Sequence, residues 1–193
     1  NRCLVGSEMC IRDSFIPVAR ISDLLLHPGK KFKFDGKNYS YPDTKIVYWA
    51  GGNPFHHHQD LSLLMKAWQK PETVICNEWC WNSLAKRSDI VLPCTTPLER
   101  EDLAITPRDP YIIKMSKLTE PYGDSRDDFD IFSGIAKVMG KLDHFTDGKS
   151  KEDWQKWIYN ETKKKSLEQN IHMPSYDCLL YTSDAADEDL RGD

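Results

Sequence analysis

The sequence predicts an α/β fold, a Rossmann-like parallel sheet with flanking helices, and three observations carry that reading. Between residues 45 and 92, short apolar runs rich in β-branched residues alternate with segments of helical period. Each run ends in a polar turn, and the first of these turns holds two consecutive glycines, Gly51-Gly52. Strand and helix in alternation give parallel strands, whose right-handed crossovers put every strand-to-helix turn on one edge. In open sheets of this kind, ligands bind outside the carboxyl ends of the strands.

The elements follow in chain order. Over residues 16–26, Val18, Ile21, Leu24 and Leu25 share a helical face, and His27-Pro28-Gly29 stops the helix. Residues 31–34 and 37–41 flank Asp35-Gly36, a two-residue hairpin signal. Residues 45–50, Lys-Ile-Val-Tyr-Trp-Ala, read as a buried strand, after which the glycines let the backbone turn sharply and approach a ligand. From Asp60 the period changes: Leu61, Leu64, Met65 and Trp68 fall at helical spacing, and Pro71 ends the helix near Lys70. Residues 73–76 read as a second strand, 79–87 as a short helix and 89–92 as a third strand. Beyond these, 111–118 reads as a strand, and Phe129, Phe132, Ile135, Ala136 and Met139 line a helix that Gly140 can terminate. Ser150 and Asp153 resemble a capping box opening the helix of Trp154, Trp157 and Ile158; Lys163-Lys164-Lys165 at its end complement the helix dipole.

Three polar loops thus converge on one sheet edge: 51–58, Asn77-Glu78 and 93–100. Asn53 is a common turn former, but the glycines already supply flexibility, which leaves its amide for a ligand contact. His56-His57-His58 do not suit a metal, because consecutive residues rarely converge on one ion, and Cys76, Cys80 and Cys94 lack Cys-x-x-Cys spacing. One histidine is expected to face the ligand and two to cap the helix that begins near Asp60. Arg100 suits bidentate recognition of a phosphate or base edge, or else it pairs with Glu101 or Asp102. Asp128 lies three residues after Ser125 and can complete a capping box with it.

At these residues a resemblance becomes specific. The stretch Trp49-Ala50-Gly51-Gly52-Asn53-Pro54-Phe55-His56-His57-His58-Gln59-Asp60-Leu61 and the pattern Ser-Asp-Ile-Val-Leu-Pro-x-Thr-Thr-x-x-Glu at 88–99 are similar to molybdopterin oxidoreductases of the dimethyl sulfoxide reductase family. The first stretch resembles most the branch of trimethylamine-N-oxide, dimethyl sulfoxide and biotin sulfoxide reductases. The chain departs from the usual pattern at Asn82 and Leu84, and in having Asn77-Glu78 in place of a His-Asp or Gln-Asp pair. The resemblance implies a segment of a larger multidomain catalytic subunit that reduces S-oxides or N-oxides by oxygen-atom transfer. The implied cofactor is bis(molybdopterin guanine dinucleotide) molybdenum, one arm of which Gly52, Asn53, His57, Asn77, Glu78, Arg100 and Asp128 would hold. The family places a guanine-binding aspartate in an Arg-x-Asp-aromatic context, here Arg126-Asp127-Asp128-Phe129, with Asp127 as the choice if the register slips. A serine upstream coordinates molybdenum in this branch, so no residue here receives a catalytic role. The implied partners are a small S-oxide or N-oxide and an electron-donor protein.

The resemblance runs from about residue 15 to about 165 and does not cover the ends. Residues 1–14 and 177–193 look like translated sequencing-adapter read-through, leaving 15–176 as the cofactor-binding α/β segment. Residues 178–193 hold five acidic side chains against Arg191, a net of −4, which is the formal charge of the whole 193-residue chain. The remainder is neutral, and no nucleic-acid partner follows from it. The odd count of Cys76, Cys80 and Cys94 reads as free thiols rather than a disulfide framework. No apolar run approaches the roughly 20 residues of a membrane helix. No leader can be read; the resemblance favours the periplasm and leaves the cytoplasm open. Two other classes stay open: a nicotinamide-dependent dehydrogenase, although Gly-x-Gly-x-x-Gly is missing after the first strand, and a non-catalytic homologous subunit.

Overall fold

The computed structural model describes residues 16–105 and 111–181. Two compact units meet at the Leu92–Pro93 junction in the chain.

The first unit is built on a parallel sheet of order β3-β4-β5, in which β3 is Ile46–Ala50, β4 Thr73–Glu78 and β5 Ile90–Pro93. The β3 and β4 strands run in register from Ile46↔Thr73 to Ala50↔Asn77. As the middle strand, β4 sets Val74 and Cys76 in the core, with Thr73 and Ile75 half-buried on its other face. The helix Leu61–Ala67 crosses from β3 to β4 and sets Leu64, Ala67 and Trp68 against Val74, Cys76, Phe55 and Leu25 in the core. Only one side of this helix is buried: Leu64 is fully enclosed while Leu61 and Met65 remain exposed. Its N-cap is Asp60, whose carboxylate accepts from the Leu63 amide at 2.9 Å. Ahead of the sheet, a 3-10 turn (Val18–Arg20) and the helix Ile21–Leu26 lead into a hairpin of β1 (Lys31–Phe34) and β2 (Lys37–Ser40). Asp35 and Gly36 both take positive φ at its tip, as the Asp-Gly signal requires.

The second unit pairs β6 (Asp102–Ile105) with β7 (Ile112–Met115) in an antiparallel ribbon. Three helices follow, Asp128–Val138, Leu142–Thr146 and Lys151–Leu167. Ser150 and Asp153 form the expected capping box. The core position on the last helix is Tyr159, with Trp157 and Ile158 exposed. The Tyr159 and Tyr176 rings meet at a tilt with centroids 5.5 Å apart, and 176–181 are helical. Of the segments read as passengers, 1–14 and 177–193, residues 1–14 and 182–193 lie outside the described residues.

Four sequence expectations need correction. Asn77 and Glu78 belong to β4 itself and are buried, rather than following it in a loop. Residues 79–87 do not form a helix; only Ala85–Arg87 makes a 3-10 turn. The Asn82 side-chain oxygen accepts from the Leu84 and Ala85 amides at 2.9 and 3.0 Å, and such local bonding competes with helix propagation. No histidine caps the helix at Asp60: His56 and His57 lie in a separate short helix, Pro54–His57. Finally, the N-cap of Asp128–Val138 is Asp127, not Ser125 with Asp128, because the Asp127 carboxylate reaches the Asp130 amide at 2.9 Å.

Candidate functional site

In the first unit the site grows from the turn after β3. Gly51 and Gly52 both have left-handed backbone, φ +80° and +73°, which side-chain-bearing residues rarely adopt. A Cβ at Gly51 would meet nothing within 4 Å, and one at Gly52 only the His57 ring at 3.7 Å, so the turn is open on its outer side. The Trp49 indole N–H donates to the carbonyls of Gly51 and Gly52 at 2.9 and 3.1 Å. With its carbonyls held on the Trp49 side, the turn's remaining polar capacity is its amide donors, the groups an anionic phosphate takes.

Asn53 caps the next short helix, its Oδ1 accepting from the Phe55 amide at 3.0 Å, while its Nδ2 donates to Ser83 Oγ at 3.1 Å. That second bond ties the turn after β3 to the loop after β4. Tyr48 donates from its hydroxyl to Asn77 Oδ1 at 2.7 Å, fixing the buried amide at the strand end. Both oxygens of Glu78 are engaged, by the Trp79 amide at 3.1 Å and by Asn82 Nδ2 at 2.5 Å. Nearby, the Arg87 guanidinium stacks 4.8 Å from the Phe55 ring centroid and donates to the Ser83 carbonyl. His57 is exposed, whereas His58 has a buried Nε2 without a hydrogen-bond partner.

In the second unit, Thr96 and Glu99 form a capping box around the Pro97–Glu99 turn. The Thr96 amide, the Tyr122 amide and the Thr96 hydroxyl, in that order of importance, hold the Glu99 carboxyl below its ordinary pKa. Arg100 extends from this turn, donating through Nε to Asp102 at 3.0 Å and through one Nη to the Thr95 carbonyl at 2.7 Å. The pairing with Asp102 anticipated from sequence is therefore present, and it leaves Nη2 without a protein partner among the described residues. Arg100 and Asp128 line one cavity of about 220 Å³, together with Phe129, Lys151 and Trp154. Asp127 is buried and committed to its cap and to Lys151, while Asp128, first in the helix, is exposed. Burial works against the charge on Lys151, but bonds to Asp127 and Asp130 outweigh it and raise its pKa.

The structure thus joins Asn53 to the loop beyond Asn77 and Glu78 in the first unit, and brings Arg100 to the cavity of Asp128 in the second. Tyr48, Ser83 and Lys151 were not anticipated as supports. Each acts across a long sequence separation, and nothing local marks it. Among the described residues, no cluster of three or more histidine, cysteine or acidic side chains could hold a metal ion. Cys76, Cys80 and Cys178 are free thiols, and no described helix is long and apolar enough to cross a membrane.

A parallel three-stranded sheet with flanking helices and a glycine turn after β3 makes the first unit an α/β segment. The molybdopterin oxidoreductase family model matches residues 6–138, and the chain belongs to that family. It is 43% identical over 166 residues to biotin sulfoxide reductase of Cereibacter sphaeroides, covering 86% of this chain and 22% of that protein. It is 42% identical over 168 residues to dimethyl sulfoxide/trimethylamine N-oxide reductase of Rhodobacter capsulatus, covering 86% and 20%. The chain therefore spans about a fifth of the length of these curated relatives. Among solved structures, acetylene hydratase from Pelobacter acetylenicus overlaps 54% of this chain and 14% of its own, at 23% identity and a TM-score of 0.48, too slight a likeness to bear on function.

Proposed function

We propose that this chain is the segment of a molybdenum-dependent S-oxide or N-oxide reductase that binds one molybdopterin guanine dinucleotide. The observation that carries the proposal is the open left-handed Gly51-Gly52 turn at the end of β3, with Asn53 locked to Ser83 beside it. The amide donors of the turn suit a pyrophosphate, and Asn53 and the exposed His57 border the same turn. Asn77 is presented at the strand end by Tyr48. Glu78, with both oxygens engaged, serves chiefly to shape the loop through Asn82. In the second unit, Arg100 Nη2 can meet a phosphate or a base edge, and a carboxylate at Asp128 can accept from guanine N1–H and N2–H.

When bound, the cofactor supplies the oxygen-atom transfer: the substrate gives up its oxygen, two electrons and two protons are consumed, and water leaves. The chain's own residues bind and orient; none of them is given a step in the chemistry. A partial site cannot hold a reactive geometry by itself, so the isolated chain is expected to show no turnover. The parent enzyme should oxidise reduced viologen only when an S-oxide or N-oxide is present, in proportion to its molybdenum. Turnover by the isolated chain, or a molybdenum-loaded parent enzyme inert to both oxides, would refute the reading.

A further inference from the structure

Arg87 stands outside every group assigned above to the ligand, yet its contacts close a circuit beside the glycine turn. The Phe55 amide donates to Asn53 Oδ1 at 3.0 Å, and Asn53 Nδ2 donates to Ser83 Oγ at 3.1 Å. The Ser83 carbonyl in turn accepts from Arg87 Nη1 at 2.9 Å. The circuit closes where the Arg87 guanidinium lies over the Phe55 ring, 4.8 Å from its centroid. Segments that follow β3 and β4 are thereby joined twice, once through Asn53 and once through Arg87.

The two joints differ in what they fix. A single bond between the Asn53 amide and the Ser83 hydroxyl sets a distance, but a hydroxyl rotates, and the bond alone lets the Ser83 backbone pivot. Arg87 removes that freedom at the Ser83 carbonyl. Its planar guanidinium donates along one edge while its face rests on an aromatic ring, so both its position and its tilt are set. The ring beneath it is fixed in turn. Phe55 is buried and meets Trp68 edge-on with centroids 5.3 Å apart, and buried Leu84 and Ala85 anchor the Ala85–Arg87 turn.

We infer that Arg87 is a positioning residue: by orienting Ser83 it holds Asn53, and with it the Gly51-Gly52 turn, in the geometry that receives the ligand's phosphates. The inference rests on the function proposed above. An exposed arginine beside such a turn could instead pair with a phosphate directly, and its contacts speak against that use. Nη1 is engaged by Ser83, Nη2 lies 4.0 Å from Met65 Sδ, and none of Gly51, Gly52 and Asn53 shares a hydrogen bond with Arg87 among the described residues. A site whose supports loosen by about 1 Å keeps its fold and loses its hold on the ligand.

The test uses the parent enzyme with Arg87→Ala, Ser83→Ala, both together, Arg87→Lys and, as a charge control, Lys86→Ala. Molybdenum and releasable guanosine monophosphate are followed through a timed incubation below the unfolding temperature. Arg87→Ala and Ser83→Ala should each speed cofactor loss about ten-fold, and the pair should lose it hardly faster than either alone, because both cut one circuit. Arg87→Lys keeps the charge without the planar fork and should resemble Arg87→Ala, whereas Lys86→Ala should match the wild type. Effects that multiply in the double variant, wild-type retention in Arg87→Ala, full rescue by Arg87→Lys, or a fall in unfolding temperature that accounts for the loss would each overturn the inference. The cofactor-free parent enzyme gives a second readout: amide hydrogen exchange across residues 51–55 should quicken in Arg87→Ala and Ser83→Ala alike. Unchanged exchange there would also overturn the inference. A wild-type parent enzyme that yields no guanosine monophosphate would sink the functional reading alone and leave the exchange result to decide this one.

Discussion

The two units hold their candidate residues by different physics. In the first, supports are mostly neutral: a tyrosine hydroxyl on Asn77, a serine on Asn53, an asparagine on Glu78, all around a parallel sheet and a closed apolar core. In the second, ions dominate: Asp127 and Asp130 on Lys151, Asp102 on Arg100, Glu99 in its capping box. Neutral bonds resist pH and salt; charged ones give direction and strength but respond to both. The two sets of supports should therefore fail in two distinguishable ways.

The largest effect should come from the core beneath the first loop. Leu64 is fully buried, and Leu64→Ala should cost roughly 2 to 5 kcal/mol in urea unfolding. A cost under about 1 kcal/mol would mean that the sheet and its helix are not packed as described. Next, Asp127→Ala removes the cap of Asp128–Val138 and a nearly buried partner of Lys151, and should cost about 1 to 3 kcal/mol, whereas Asp128→Ala should change stability by under about 0.5 kcal/mol. Equal losses at the two neighbours would erase the division of labour between them. Asn53→Ala should cost about 1 kcal/mol, from loss of its cap and its bond to Ser83, with little dependence on salt.

The smallest effect concerns acid. The folded pKa of Glu99 is depressed, so its contribution is present above the unfolded carboxylate pKa and is lost as pH falls through the folded value. Glu99→Gln should therefore flatten the acid limb of the stability curve below about pH 4. An unchanged acid limb in the variant would show that the capping box adds no pH dependence.

Much of this was legible in sequence because the decisive signals are local. The Asp35-Gly36 turn, the Ser150–Asp153 box and the β3 strand each depend on residues within a few positions of one another. Asn77 and Glu78 were misplaced by length: the apolar run ends at Cys76, but pairing with β3 continues to Asn77, opposite Ala50, and β4 ends at Glu78. The helix over 79–87 failed because Asn82 spends its side chain on nearby amides, a competition that helical periodicity does not register. β6 went unseen because Asp102-Leu-Ala-Ile is a strand only through its partner β7. The supports Tyr48 and Ser83 were hidden for the same reason, lying 29 and 30 positions from the residues they hold.

The central claim is the proposal that the chain binds one guanine dinucleotide arm, with Asn53 and Asp128 among the residues that contact it. It is tested most directly by molybdenum content and released guanosine monophosphate in the parent enzyme carrying Asn53→Ala or Asp128→Ala. Loss of the Asp128 carboxylate leaves guanine donors unpaired, at about 1 to 3 kcal/mol, and loss of Asn53 unties the turn after β3 from Ser83. The expected result is lowered occupancy in both variants, with near-normal activity per bound molybdenum. Full occupancy in both would contradict the claim and leave Asn53 and Asp128 with structural roles alone.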